Sequence, residues 1–308
     1  MSALNAAHFK DEVAAYAFIE ARVWPKGRIC PHCGVVENSG ALKGKSTRPG
    51  LYKCYSCRKP FTVKVGTIFE SSHIPMHIWL QAMFLLCSSK KGMSANQLHR
   101  ILGVTLKSAW FMAHRIRKAM EDGSFSPLGG EGKIVEADET FMKKSSKTRR
   151  KEGQPRPVAV LSLIERGGAI SSVTLKNEPS RSEIMSIIRD KVDPSSALHT
   201  DGAQHYKYPS PDDIADHQSV DHNKTYVRYV ANGESVHTNS LEGFFSIFKR
   251  GMTGIYQHCD VKHLDRYLSE FDFRYTNRVA VGVNDEARAL RALDGVSGKR
   301  LMYKELIQ

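Results

Sequence analysis

The sequence predicts an α/β protein in two parts: a front end organised by cysteines and helices, then a mixed sheet with a helical crossover. Three observations carry this expectation. Beyond residue 132, KIVEADETFM, PVAVLSLIE and AISSVTL are apolar or alternating runs of strand length, followed by the helical SEIMSIIRD and the short run SALHTD. From Pro75 to about Met120 the apolar residues recur at helical spacing. Before residue 60 stand two Cys-x2-Cys pairs with twenty residues between them.

Composition fits this outline. The 308 residues are 41% hydrophobic and 25% charged, enough for two modest domains or one large one with a real core and unlike a fibrous or wholly disordered chain. The most apolar stretch, Ala82 to Cys87, is six residues long, far short of a membrane span, so no membrane is expected as partner. The opening MSALNAAHFKDE has no basic patch followed by an apolar run, which makes the cytosol the expected compartment. Forty-five Lys and Arg against 32 Asp and Glu leave +13, a surplus that points to a polyanion without naming it.

The elements follow in order. Phe9, Val13, Tyr16 and Ala17 recur at helical spacing and predict a short amphipathic helix, which Glu20 interrupts. Cys30-Pro-His-Cys33 and Cys54-Tyr-Ser-Cys57 are then two knuckles able to set four thiolates around one tetrahedral zinc. Gly34 supplies the tight turn after the first knuckle. The competing readings are disulfides, against which a cytosolic origin argues, and redox-active thiols, against which the pairing of two knuckles argues. Four Cys ligands describe a closed, structural site. The stretch between the knuckles carries Lys43, Lys45 and Arg48 and reads equally as a phosphate contact or a solvated tip.

Ile78, Trp79, Ala82, Met83, Leu85 and Leu86 form an apolar helix. In SANQLHRILGVTLKSAWFMAHRIRKAM, Ser94 or Ala95 opens a second helix, Gly103 breaks it and Thr105 starts a third carrying Arg115 and Arg117. Helix, short Gly turn, helix is helix-turn-helix grammar, in which the basic end of the last helix meets phosphates. A helical connector with solvated basic residues is the alternative. EDGSFSPLGGEG then reads as a linker.

Acidic residues at the ends of buried strands need a reason, because unpaired carboxylates are costly there. Asp138 interrupts IVEADET and Asp201 ends LHTD; on neighbouring strands the two converge at one edge. Such a pair is tolerable when it shares a hard cation, Mg²⁺ or Mn²⁺, as in two-metal phosphoryl transfer; turn or capping roles are the alternative. In HTNSLEGFFSIFKRG, Asn239 or Ser240 caps a helix whose Leu241, Phe244, Phe245 and Phe248 form a core stripe, with Glu242 and Lys249 seven apart on another face. The next helix offers Lys262, Arg266, Arg274 and Arg278 as phosphate contacts.

VEADETF, HTDGAQHY, HTNSLEGFFSIFKRG, HLDRYLSEFDFRYTNR and SGKRLMYKEL, in this order, resemble the ISXO2-like DDE transposase domain of the IS1595 group of bacterial insertion sequences. CPHCG and YKCYSCRKPFTVKVGTIFE resemble that family's zinc ribbon. The resemblance runs from about residue 15 to the end and implies an RNase H-like core, a mixed five-stranded sheet with flanking helices. It matches Asp138, Asp201 and Glu242 to the three acidic positions and Lys249 to the basic one. Relatives vary at the third position, so Asn239 is a rival or accessory there, while Glu139 is a weaker rival because it would point to the opposite sheet face. The chain departs from the family after Phe141, where a glycine-rich segment is replaced by MKKSSKTRRKEGQPRP. Seven Lys or Arg against one Glu make Phe141 to Val158 +6, so Lys143, Lys144, Lys147, Arg149 and Arg150 are candidate DNA contacts.

The resemblance implies a zinc-stabilised DNA transposase acting with two Mg²⁺ or Mn²⁺ ions on the terminal inverted repeats of its element and on target DNA. It implies a homodimer or larger synaptic complex. An RNase H-like nuclease or resolvase without strand joining, and a non-catalytic zinc-ribbon DNA-binding derivative, are the alternatives. The expected layout is 1–26 N-terminal helix, 27–72 zinc ribbon, 73–120 helical DNA-binding segment, 121–132 linker and 133–308 catalytic domain.

Overall fold

The computed structural model describes residues 3–121, 123, 126–142, 158–175, 180–206, 214, 216–221, 224–230, 233–257 and 259–307. The basic loop after Met142, with Lys143, Lys144, Lys147, Arg149 and Arg150, lies outside the described residues. The chain forms two units, Met1–Glu121 with Val283–Gln308, and Asp122–Gly282.

In the first unit, α1 (Glu12–Val23) starts where the Asp11 carboxylate accepts from the Ala14 N–H at 2.7 Å. It buries Ala15, Tyr16 and Ile19; Val13, expected in the apolar stripe, falls off that face and is exposed. Three short antiparallel strands follow, β1 (Ser39–Ala41), β2 (Tyr52–Cys54) and β3 (Pro60–Phe61), in the order β1-β2-β3. Their small core joins Tyr52 and Phe61 to Cys30 and Cys54. Next come α2 (Met76–Ser88), α3 (Ala95–Leu102) and α4 (Leu106–Met120). Ser94 and Thr105 cap α3 and α4 by accepting from Gln97 and Ser108 N–H groups, and Gly103, at φ 67°, closes α3 in the left-handed region where a Cβ is unfavourable. The expected helix, glycine turn, helix is therefore present.

The second unit holds a five-stranded mixed sheet in the order β6-β5-β4-β7-β8. Its strands are β4 (Ile134–Met142), β5 (Val158–Glu165), β6 (Ile170–Leu175), β7 (Ala197–Asp201) and β8 (Asp216–Val220), with α5 (Arg181–Lys191) between β6 and β7. β4, β5 and β6 pair antiparallel, whereas β4–β7 and β7–β8 pair parallel, so α5 belongs to the crossover that a parallel pair requires. β9 (Arg228–Tyr229) and β10 (Ser235–Val236) make a small hairpin before α6 (Asn239–Gly251), and α7 (Leu264–Thr276) follows.

Strand alternation sends the side chains of the sheet into two cores. Val135, Ala137, Leu161, Leu163 and Leu198 pack with Ile184 and Ile188 of α5 on one face. Val160 and Ile164 pack with Leu241, Phe244 and Phe248 of α6 and Leu268 and Phe271 of α7 on the other. Phe248 stacks edge-on against Phe271 with ring centroids 5.1 Å apart. Arg274, expected at phosphate, instead pairs with Glu270 one turn back, both buried in this layer.

The chain then returns to the first unit with α8 (Asp285–Asp294) and α9 (Lys304–Ile307). Val283–Gln308, read from sequence as part of the second domain, are fastened into the first by backbone and buried arginine. Arg288 donates to the Cys87 carbonyl at 2.9 Å, Thr67 and Ser297 form a β-bridge, and the Gly298 N–H donates to Gly66 O at 2.8 Å. Among the described residues no helix is long and apolar enough to cross a membrane.

Candidate functional site

The four knuckle cysteines converge. Their sulfurs all lie within 4.8 Å of one another, with Cys30 to Cys57 and Cys33 to Cys54 each at 3.7 Å. A tetrahedron with Zn–S bonds of about 2.3 Å has edges of about 3.8 Å, so the cage has the dimensions of a zinc site with four cysteine ligands. Gly34, at φ 75°, makes the turn behind the first knuckle, and His32 stays exposed with its Nε2 3.3 Å from Pro60 O.

Two of the carboxylates stand on adjacent strands just beyond the parallel β4–β7 pairing. Ala137 pairs with Thr200 across the parallel β4–β7 ladder, so Asp138 and Asp201 are the next residues on adjacent strands. Alternation turns both toward the α6 face, since Ala137 and Leu198 face the α5 core. Burial above all, and then the Asp201 carboxylate, push the Asp138 carboxyl up to about 7; Glu242 adds to the push and Lys249 opposes it. Asp138 Oδ1 accepts from the Glu139 N–H at 2.8 Å, and Asp201 Oδ1 from the Ala203 N–H at 3.0 Å. Glu242 and Lys249 are exposed on α6, off its buried stripe of Leu241, Phe244, Phe245 and Phe248. Asn239 is exposed at the first helical position, its N–H donating to His237 Nδ1 at 3.3 Å. Among the described residues, the cysteines alone gather three or more ligand atoms within 4.8 Å, so the three carboxylates are not drawn together around a single point.

Glu139 points to the other face, with Oε1 2.7 Å from His205 Nε2. Burial is the main cause that raises its carboxyl to about 8, opposed by the Tyr206 hydroxyl and reinforced by Asp201 and Asp138.

Two expected DNA contacts are corrected. Arg115 is 6% exposed and donates to Ile68 O at 3.0 Å, Glu70 O at 2.8 Å and Leu301 O at 3.1 Å. Arg117 is 2% exposed. Arg115 turns inward to carbonyls of its own unit, and Arg117, two residues further on and so on a different side of α4, is buried as well.

Sequence reasoning also missed a network beside the site. Glu136, fully buried on β4, accepts from Arg166 Nε at 2.9 Å, and Arg166 Nη2 donates to His199 Nδ1 at 3.1 Å and His237 O at 3.2 Å. Burial, then the Arg166 charge, hold His199 down at about 4, which keeps its ring neutral and able to accept. The only signal in the sequence was a second acid two residues before Asp138.

Comparison with known proteins agrees with this architecture. Residues 127–276 match the ISXO2-like transposase domain and residues 10–60 the transposase zinc-ribbon domain. An uncharacterized protein in transposable element ISH50 of Halobacterium salinarum is 26% identical over 266 residues, 82% of this chain and 86% of that protein. A chain of a simian T-cell lymphotropic virus intasome, solved with PP2A regulatory subunit B56 gamma, aligns at 16% identity and TM-score 0.29. That alignment covers 57% of this chain and 63% of that one. With both domain matches in sequence order, and the four sulfurs of the ribbon caged as zinc requires, the chain carries an ISXO2-like transposase domain behind a transposase zinc ribbon.

Proposed function

We infer that the protein is a DDE-type DNA transposase with an RNase H-like catalytic core, which cuts DNA at the ends of its element and joins the resulting 3′-hydroxyl to target DNA. The observation that carries this reading is the placement of Asp138 and Asp201 on adjacent parallel strands, each one residue past the Ala137–Thr200 pair, on the face covered by α6, with Glu242 and Lys249 acting on the Asp138 charge. Buried like charges are unfavourable unless something positive is shared, and the donors are hard carboxylate oxygens, so the residues fit Mg²⁺ or Mn²⁺. Asp138, Asp201 and Glu242 would hold two such ions. When bound, these supply an activated water and stabilise the attacking and leaving oxygens of an in-line displacement.

The protein's own groups do the rest. Asp138 and Asp201 fix the floor of the site from the rigid sheet, and Glu242 approaches from the helix above. Lys249, two turns further along α6, steadies a backbone phosphate as a point charge. The ribbon and the helices of the first unit grip the terminal repeats, and the zinc holds the ribbon's fold without entering the chemistry. Two ends must be brought together, which calls for a homodimer or larger assembly.

The test is a cleavage and strand-transfer assay on cognate ends with Mg²⁺ or Mn²⁺. Asp138→Ala, Asp201→Ala and Glu242→Ala are each expected to lower both steps by more than about 10²-fold. Full activity in one variant removes that residue from the site. Cutting of ends without joining of pre-cut ends identifies a nuclease or resolvase, and binding without either identifies a DNA-binding derivative.

A further inference from the structure

Helix α6 has no cap of its own. Thr238 at its N-cap makes no side-chain capping bond, and the N–H of Asn239 goes to His237. The next two N–H groups, of Ser240 and Leu241, donate to Glu136 Oε2 at 3.0 and 3.3 Å, and the Ser240 hydroxyl donates to Oε1 at 2.9 Å. The cap therefore comes from β4, 104 residues earlier in the chain. A carboxylate suits this position because the first-turn N–H groups and the helix dipole both favour negative charge.

Burying that carboxylate is tolerable only with a close cation, which Arg166 provides at 2.9 Å. Arg166 also donates to Ser235 O at 3.0 Å, to His237 O and to His199 Nδ1. The spacing is the telling feature. Glu136 lies two residues before Asp138, His199 two before Asp201, and Ser240 two before Glu242. One ion pair, with its carboxylate fully buried and its arginine partly exposed, thus touches all three elements that carry the acidic residues, each two residues from its carboxylate.

We propose that Glu136, braced by Arg166, is the positioning residue that locks the first turn of α6 to β4 and so sets Glu242 opposite Asp138 and Asp201. This rests on the metal-site reading above. Glu136 itself is spent on capping and on Arg166; it acts through α6, with no contact to substrate.

The experiment uses the full zinc-loaded chain and reads binding, with Mn²⁺ as the probe, followed by the electron paramagnetic resonance signal of the free ion. Amide hydrogen exchange is measured in parallel. Glu136→Gln is expected to weaken Mn²⁺ binding about tenfold or more, as loss of a group that orients a ligand does. Ser240→Ala removes one hydrogen bond and is expected to weaken it by about threefold. Both are expected to speed exchange at amides 240–242 while β5 stays protected. A merely structural pair lowers global stability and leaves the affinity of the folded protein unchanged. Wild-type Mn²⁺ affinity in folded Glu136→Gln overturns the proposal; where that variant does not fold, wild-type affinity in Ser240→Ala does so. Asp138→Asn separates the two ideas. If it weakens Mn²⁺ binding while the other two variants do not, only the positioning role falls; if it binds as wild type, the metal site falls and the positioning role with it.

Discussion

Arg115 supplies three hydrogen bonds to backbone carbonyls from a side chain that water barely reaches. Its removal leaves those oxygens buried without donors, so Arg115→Ala is expected to cost about 3 kcal/mol in urea unfolding. Lys107→Ala, at an exposed position on the same helix where the ammonium lies 4.5 Å from the Tyr303 ring centroid, is expected to change stability by no more than about 1 kcal/mol. Residue type alone misled at Arg115 and Arg117, because the carbonyls that hold Arg115 come from residues 68, 70 and 301, far away in sequence. The placement of Asp138 and Asp201 on neighbouring strands was legible for the opposite reason. An acid that interrupts an apolar strand asks for an explanation wherever the strand is placed. Glu136 was equally acidic and more deeply buried, yet its meaning depended on Ser240 and Leu241, which no local pattern connects to it.

At the scale of elements, the cysteine cage was legible in full, because two knuckles of fixed spacing leave little freedom in how four sulfurs meet. Cys54→Ser is expected to abolish stoichiometric zinc and to unfold the three-stranded ribbon, seen as loss of amide protection at Tyr52–Cys54, while the five-stranded sheet keeps its own. The helix-turn-helix pair was legible from Ser94, Gly103 and Thr105, but the face it offers to solvent was not. That face carries Asn96, Gln97 and Arg100 of α3 and Lys107 at the start of α4, all exposed. If this pair meets DNA, it does so with these residues. Arg100→Ala combined with Lys107→Ala is expected to weaken binding and to reduce the slope of log affinity against log salt by about 2, measured by fluorescence anisotropy. Helix α6 depends on aromatic packing, and Phe248→Ala, at a fully buried position, is expected to cost about 3–5 kcal/mol by chemical denaturation.

For the whole molecule, the first four strands of the large sheet and the helix before the fourth were readable from periodicity, and so was the change of grammar near residue 132; β8 and the β9–β10 hairpin were not. The destination of Val283–Gln308 was not, since an amphipathic helix says that it has a partner and not which one. A chain ended at residue 282 keeps every strand of the second unit and loses the groups that close the first, so limited proteolysis is expected to attack α2 and α4 before the sheet. The same arrangement bears on synthesis. Ribosomes deliver the ribbon and its helices first, but those helices wait for Arg288 and Lys299, which emerge only after all the acidic residues of the sheet and α6. The half that reaches the tunnel exit first is therefore finished last, and a polypeptide interrupted anywhere before residue 283 leaves the ribosome with its front end still open.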